Sequence, residues 1–173
     1  LMAGWHLQVL GTSPDVVFGE LYFSDAWQSV FRIDNSMVLW GIALVLAVIG
    51  VGFGLYVRVA PHDVARWHVV PQIAQDRTLP GGVERRLPNA ADRLGTLHDL
   101  VMATPRTHVL AGGPDVGLTT YVTRSALWGF PDYTTIAQDG DAIVIRAHLR
   151  FGQSDMGVNA ARVRSWVAAL GMS

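Results

Sequence analysis

The most constraining feature of this sequence is an apolar run from Met37 to Val57, which reads MVLWGIALVLAVIGVGFGLYV. As a helix, these 21 residues would rise roughly 31 Å, about the thickness of a bilayer's hydrocarbon core. A buried helix of a soluble protein is the alternative, but such a helix is seldom this long and apolar on every side. The run therefore predicts a single transmembrane helix over residues 37–57.

The flanks of the run fit this interpretation. Asp34 and Arg58 bracket it, and Trp40 and Tyr56 lie near its ends, where amphipathic rings favour the membrane interface. A cleaved signal peptide is not expected, because the run follows 36 residues and lacks the basic start and small-residue cleavage site that processing needs.

Small residues recur along the predicted helix at intervals of four, three and four positions. They are Ala43, Ala47, Gly50 and Gly54. Helices in lipid associate through close backbone approach, which small residues permit. We predict that this stripe packs against another transmembrane helix, from a partner or from a second copy. Chance alignment of residues that are common in membrane helices is the alternative.

The segments on either side of the run carry weaker signals. Residues 1–36 form an N-terminal tail in which aromatic and apolar residues between Tyr22 and Phe31 fall at helical spacing. An amphipathic helix on the membrane surface or on a partner is one interpretation of the tail, and a loosely ordered chain is the other. Residues 58–88 are rich in Pro, Gly, Asp and Arg without a sustained period, which predicts an extended connector.

Residues 89–173 carry the pattern of a small domain. Asn89 predicts a helix N-cap before Leu94, Leu97 and Val101, and a last helix over residues 159–170 ends at Gly171. Segments rich in β-branched and aromatic residues predict four strands, at 107–111, 119–128, 133–137 and 142–151. The expected fold class is α+β or α/β, with a mainly antiparallel sheet of about four strands and two helices.

The predicted strand 142–151 alternates between apolar and cationic side chains, so one face is core and the other carries Arg146, His148 and Arg150. Arginine offers planar paired donors, and the three groups together could bind a carboxylate, a phosphate or a lipid head group. A solvated face whose arginines pair with aspartates is the alternative.

The turn that follows this strand adds Ser154, Asp155 and Asn159 as candidate anion-binding residues. A glycine-containing turn before a helix can direct backbone N–H groups at an anion. The same residue types are common helix caps, which explains them without any ligand.

Other classes of function find little support. A net charge of −1 argues against nucleic-acid binding, and the sequence has no cysteine. The histidines show no HxxxH or HExxH spacing, so neither a metal nor another cofactor is predicted. A serine hydrolase would need Ser125 or Ser154 beside His98 or His148, and the GxSxG signature is missing.

Several strings resemble a bacterial and plastid family known as domain of unknown function fourteen ninety-nine. They are Ala60-Pro-His-Asp-Val-Ala-Arg-Trp-His68, Thr119-Tyr-Val-Thr-Arg-Ser125, Gly129-Phe-Pro-Asp-Tyr133 and Arg150-Phe-Gly-Gln-Ser-Asp-Met-Gly-Val-Asn-Ala-Ala-Arg162, followed by Trp166. The resemblance covers about residues 59–170. The resemblance implies no activity or catalytic residues. It does imply an architecture, because bacterial members usually look like a short N-terminal anchor followed by a domain exported to the periplasm.

The favoured function is an accessory or structural subunit of a larger bacterial inner-membrane assembly, docked through its helix. An anion-binding or lipid-head-group-binding module and a hydrolytic enzyme are the alternatives. Within about 20 residues of the helix, Arg58, Arg66 and Arg77 follow it and Arg32 precedes it, which favours a cytoplasmic domain. The family's export pattern favours a periplasmic domain, which is the orientation we expect.

Overall fold

The computed structural model describes residues 35–172, which begin with the long helix α1 (Asn35–Val59). This helix extends two residues beyond the predicted run at each end. Its length and composition suffice to cross a membrane, and none of its most apolar window is buried. The predicted apolar helix is confirmed, whereas the amphipathic helix predicted in the tail lies outside the described residues.

A six-stranded antiparallel sheet forms the centre of the domain. In chain order its strands are β1 (Arg77–Leu79), β2 (Gly82–Leu87), β3 (Thr107–Gly113), β4 (Leu118–Arg124), β5 (Pro131–Asp139) and β6 (Ala142–Leu149). Their order across the sheet is β1-β2-β6-β5-β4-β3. Because every neighbouring pair is antiparallel and the helices are separate from the strands, the fold class is α+β.

Three shorter helices complete the described chain, namely α2 (Val64–Trp67), α3 (Leu94–Met102) and α4 (Val158–Ala169). Two of them, α3 and α4, cover one face of the sheet and enclose the main hydrophobic core. From α3, Leu94, Leu97 and Val101 enter this core at the predicted helical spacing. The last helix ends as predicted, because Gly171 adopts a positive φ of 73° and its N–H bonds to a carbonyl of α4.

The opposite face of the sheet carries a much smaller apolar cluster, consisting of Ile73, Ala137 and Val144 with Leu118 against it. Polar and aromatic side chains occupy much of the rest of this face. We call it the polar face, and α2 contacts it through Trp67. Its exposed and half-buried polar groups make it the place to look for a binding site.

The prediction of an extended connector over 58–88 and a four-stranded sheet is wrong in two respects. Residues 64–67 form α2, and residues 77–87 form a hairpin that adds β1 and β2 to the sheet. Strand β2 pairs with β6 along its whole length, from Gly82 opposite His148 to Leu87 opposite Ile143. The sequence of β2, GVERRL, gives only a weak strand signal. It is six residues long and has three charged residues in a row, so no clear alternation of apolar and polar side chains is visible.

The prediction of Asn89 as a helix cap is also wrong. Asn89 lies in a turn with a positive φ of 52°, and a short 3-10 turn (Ala91–Arg93) precedes α3. The free N–H groups of Ala90 and Ala91 instead donate to the backbone carbonyl of Asp141, from the turn between β5 and β6. A tertiary contact, and not a local side-chain cap, therefore satisfies these N–H groups.

The end of α1 is built into the domain, and residues from Val51 onward belong to the same compact unit as the sheet. Val57 is fully buried, and the guanidinium of Arg124 donates to the carbonyls of Val57 and Arg58 at 3.4 Å each. These carbonyls have no partner within the helix, so a cation at this end satisfies them and complements the helix dipole. Buried packing and hydrogen bonds therefore fix the last turn of α1 to the domain.

Candidate functional site

Trp67, at the end of α2, lies over the middle of the polar face. Its ring stacks on Tyr133 with centroids 4.5 Å apart and an angle of 14°, and it contacts the ring of His148 at 4.6 Å. The carbonyl of Trp67 accepts a hydrogen bond from the Thr135 hydroxyl at 2.8 Å. Asp63 caps the start of α2 by accepting from the N–H of Arg66. These contacts fix the indole as one wall of a cleft.

A cluster of charged side chains lies on the same face. The carboxylate of Glu84 is only 5% exposed, and it accepts from Nε of Arg77 at 2.7 Å and from Nε of Arg146 at 2.8 Å. Burial acts to raise the pKa of Glu84, but the hydrogen bonds and charges of the two arginines outweigh it and hold the pKa below its usual value. Glu84 is therefore ionised at neutral pH.

Between the indole and this charged cluster lies a cleft of about 270 Å³, which we call the Trp67 cleft. Its polar lining consists of Arg66, Glu84, Thr135, Arg146 and His148. The guanidinium of Arg66 lies 4.5 Å from the centroid of the Trp67 ring. Counting Arg77, three guanidinium groups face one carboxylate, so the cleft carries net positive charge and suits an anion.

His148 in this cleft is held neutral. Burial lowers its pKa, and the charge of Arg146 adds to that effect, while a hydrogen bond with the backbone at Leu149 opposes it. Because a carbonyl oxygen can only accept, the 3.3 Å contact with the Leu149 carbonyl places the proton on Nδ1. Nε2 then keeps its lone pair and can accept a hydrogen bond.

A second histidine links the polar face to the end of α1. His62 Nε2 accepts from Arg124 at 3.2 Å, so Nδ1 carries the proton and donates to the Tyr133 hydroxyl at 2.7 Å. Burial lowers the pKa of His62, and the nearby charges of Arg124 and Arg150 lower it further. His62 is a neutral bridge between the helix junction and the aromatic stack.

The three residues predicted to bind an anion together do not converge on one point. Arg146 and His148 line the Trp67 cleft, with Arg146 already paired to Glu84. Arg150 instead donates to the Tyr133 hydroxyl at 3.2 Å and lies over the ring of Phe151. Two of the three predicted residues therefore belong to the candidate site.

The predicted anion-binding turn has the contacts of a helix cap. The carboxylate of Asp155 accepts from the N–H groups of Gly157 at 3.0 Å and Asn159 at 2.8 Å, and the Ser154 hydroxyl accepts from Met156. The side chain of Asn159 is buried and accepts from Arg162. The backbone N–H groups of this turn that could bind an anion already donate to Ser154 and Asp155. Anion binding at Ser154, Asp155 and Asn159 stays a prediction.

Two of the residues considered for hydrolytic chemistry have other hydrogen-bond partners. His98 Nδ1 lies 2.7 Å from the Tyr121 hydroxyl, and the Ser125 hydroxyl accepts from the N–H of Phe130. Within residues 35–172, no group of three metal-binding side chains lies close enough to hold a metal ion.

On α1, Ala43 and Ala47 are exposed, and a side chain added at Gly50 would meet nothing within 4 Å. Gly54 differs, because a Cβ at this position would lie 3.8 Å from the ring of Trp128. Gly54, the C-terminal residue of the small-residue stripe, therefore lies against Trp128 of the domain.

These observations define a class of protein in which an apolar helix of membrane-spanning length precedes an α+β domain with a cationic cleft. The chain belongs to the family described as protein of unknown function (DUF1499), whose sequence profile matches residues 69–170. The match begins later than the resemblance over residues 59–170 suggested, so α2 and Trp67 lie outside it. No curated protein and no solved structure matches the chain.

Sequence reasoning missed Trp67, Arg66 and Glu84, because all three lie in the segment predicted to be an extended connector. Their signal was weak but present. The string Asp63-Val-Ala-Arg-Trp67 is a capped helical turn, and a lone Glu84 between valine and arginines is the pattern of a strand with one polar face.

Proposed function

We propose that this protein is a single-pass membrane protein of the bacterial inner membrane, anchored by α1, with its domain in the periplasm. The support for the anchor is the length, apolar composition and exposure of α1. The support for the orientation is the export pattern of the family's bacterial members. A fusion of alkaline phosphatase after Ser173 should be active, and an inactive fusion with an active cytoplasmic reporter would reverse the orientation.

We further propose that the domain is a binding module for a small anion, which the Trp67 cleft holds. The observation that carries this proposal is the charged cluster of Glu84, Arg77 and Arg146 beside the guanidinium of Arg66, which forms no ion pair with a described acidic side chain. Burying charge costs free energy, and here a largely buried carboxylate fixes two arginines whose side chains stay partly exposed, where a ligand can reach them. Glu84 orients the arginines, and Trp67 lines the cleft beside Arg66.

The size of the cleft limits the ligand. At about 270 Å³, it is slightly below the usual volume of a cleft for a drug-sized molecule, roughly 300 Å³ or more. A phosphate or a small carboxylate fits these properties, with its charge near Arg66 and Arg146.

Calorimetric titration of the full chain in detergent tests this proposal, with inorganic phosphate and benzoate as probes. Arg66→Gln should weaken binding about tenfold, because it removes one charge-assisted hydrogen bond. Arg164→Gln, on the exposed surface of α4, is the control and should bind as the parent does. If the parent binds neither probe, the proposal is wrong. Loss of binding in Arg150→Gln would favour the three-residue anion site predicted from the sequence.

The second candidate function is an accessory subunit that docks through α1 in a larger membrane assembly. The observation that favours it is the open surface at Gly50 on the small-residue stripe. Gly50→Leu should release the chain from co-purifying membrane partners. Gly52→Leu, a glycine with equally open surroundings on another side of the helix, is the matched control. Equal recovery of partners with both variants would remove this candidate.

A further inference from the structure

A second cationic surface lies where α1 meets the domain, away from the Trp67 cleft. It is a cleft of about 520 Å³ whose lining includes Arg58, Arg106, His108 and Arg124. No carboxylate lines it among the described residues, and none of the three arginines forms an ion pair with a described acidic side chain. We call it the junction cleft. Its uncompensated charge suits an anion.

The charge is held in place by the fold. Arg124 is fixed by its bonds to the carbonyls at the end of α1 and to the carbonyl of Gly129 at 2.9 Å. Arg106 is an exposed residue, and its Nε donates to the carbonyl of Arg124 at 3.0 Å. Arg58, in the last turn of α1, is also exposed. Two exposed arginines, Arg58 and Arg106, thus lie beside Arg124, which is hydrogen-bonded to the backbone of both.

The loop that borders the junction cleft is apolar. Residues 125–130 connect β4 to β5, and within this loop Leu127 is 76% exposed and Trp128 is 49% exposed. The ring of Trp128 lies beside Gly54 of α1, and Phe130 contacts Phe53 with ring centroids 5.9 Å apart. Exposed apolar side chains next to an apolar helix are costly in water but favourable at a membrane.

The position of this loop along α1 decides its surroundings. Gly54 precedes the end of the helix at Val59 by five residues, which is roughly 7 Å along the axis. If α1 spans a bilayer, Trp128 therefore lies beside the last turns of the span, at the depth that tryptophan favours. The junction cleft then lies at the level of the lipid phosphates.

We propose that loop 125–130 and the junction cleft form a membrane-contact surface that binds an anionic phospholipid of the bilayer. The lipid phosphate is held by Arg58 and Arg106, and Leu127 and Trp128 enter the interface. This inference rests on the proposed membrane anchor, but it is independent of the anion proposed for the Trp67 cleft. Its consequence is that the domain is held against the membrane in one orientation.

The first test locates the loop, and the absence of cysteine from the sequence makes it possible. The full chain is placed in nanodiscs of phosphatidylcholine and phosphatidylglycerol, with a nitroxide label at Leu127→Cys or Val116→Cys. Val116 is the matched control because it is apolar and 72% exposed, but lies at the opposite end of β4. That distance is roughly 20 Å for seven residues.

The label at position 127 should be shielded from a water-soluble relaxation agent and accessible to oxygen, and the label at 116 should show the reverse. Equal water accessibility at both positions, in chain that has entered the discs, would overturn the membrane-contact surface and leave the anchor intact. Failure of the chain to enter the discs would instead overturn the anchor.

The second test measures the lipid. Native mass spectrometry counts the phosphatidylglycerol molecules that stay bound when the full chain leaves the discs. Arg58→Gln and Arg106→Asn should each lower retention about fivefold, as expected for loss of one basic group at a membrane surface. Asparagine is chosen for position 106 because the native φ is +59°.

Arg164→Gln is the control for these variants and should retain as much phosphatidylglycerol as the parent. Retention in Arg58→Gln and Arg106→Asn that equals this control would show that the junction cleft does not hold the lipid.

Discussion

Replacing Glu84 with glutamine removes the one carboxylate that lines the Trp67 cleft within residues 35–172, and keeps the shape of the side chain. The carboxylate accepts bonds from Arg77 and Arg146, and a charge-assisted hydrogen bond contributes about 1.5–3 kcal/mol when it is buried. The side chains of Arg77 and Arg146 are 52% and 38% exposed, so water compensates much of their loss. We expect Glu84→Gln to lower the free energy of unfolding by about 1–2 kcal/mol.

The pH dependence of this loss follows from the direction of the pKa shift. The arginines hold the pKa of Glu84 below its unfolded value, so the carboxylate stabilises the fold fully above that unfolded value, about 4.5. The stabilisation is lost as the pH falls through the lower, folded pKa. The difference between the parent and Glu84→Gln should therefore be largest near neutral pH and shrink below about pH 4.

Urea unfolding of the full chain in detergent, followed by near-ultraviolet circular dichroism, measures both effects. Asp139→Asn is the control, because both side chains of its ion pair with Arg86 are partly exposed and the pair should contribute less than about 1 kcal/mol. A Glu84→Gln protein as stable as the parent at neutral pH would refute the reasoning. So would a loss of stability that is the same at acidic and neutral pH.

Three further outcomes are expected. Burial, together with nearby arginines, lowers the pKa of both His62 and His148 in the fold, so stability should fall as the pH drops below about 6.5, and His148→Gln should flatten that dependence in thermal unfolding. Leu97→Ala removes a fully buried side chain from the main core and should cost about 2–5 kcal/mol in urea unfolding, whereas Val116→Ala at an exposed site should change stability by less than about 0.5 kcal/mol. Gly82→Ala would drive a Cβ into the backbone carbonyl of Ala147 in β6, so the β2–β6 pairing should weaken, with faster amide hydrogen exchange in both strands.

The local features of the protein could be predicted from the sequence. The apolar helix α1 follows from 21 residues without charge, since a helix pairs the backbone N–H and C=O groups of so long an apolar run within the segment itself. The core face of β6 and the buried residues Leu94, Leu97 and Val101 of α3 follow from hydrophobic periods of two and 3.6 residues, which depend only on neighbours along the chain. The stop of α4 at Gly171 follows from the freedom of glycine at positive φ.

The two candidate binding surfaces were decided by tertiary structure. Glu84 looks like an exposed residue of a connector until β2 pairs with β6 and brings it to Arg146, 62 positions later in the chain. Trp67 meets Tyr133, and Arg124 meets the end of α1, over comparable separations. The sequence by itself determined the helix, the core pattern and most of the strands, because each depends on residues a few positions apart. Only the folded sheet decided which charges and rings meet, because those contacts depend on strand order and register, which no local period encodes.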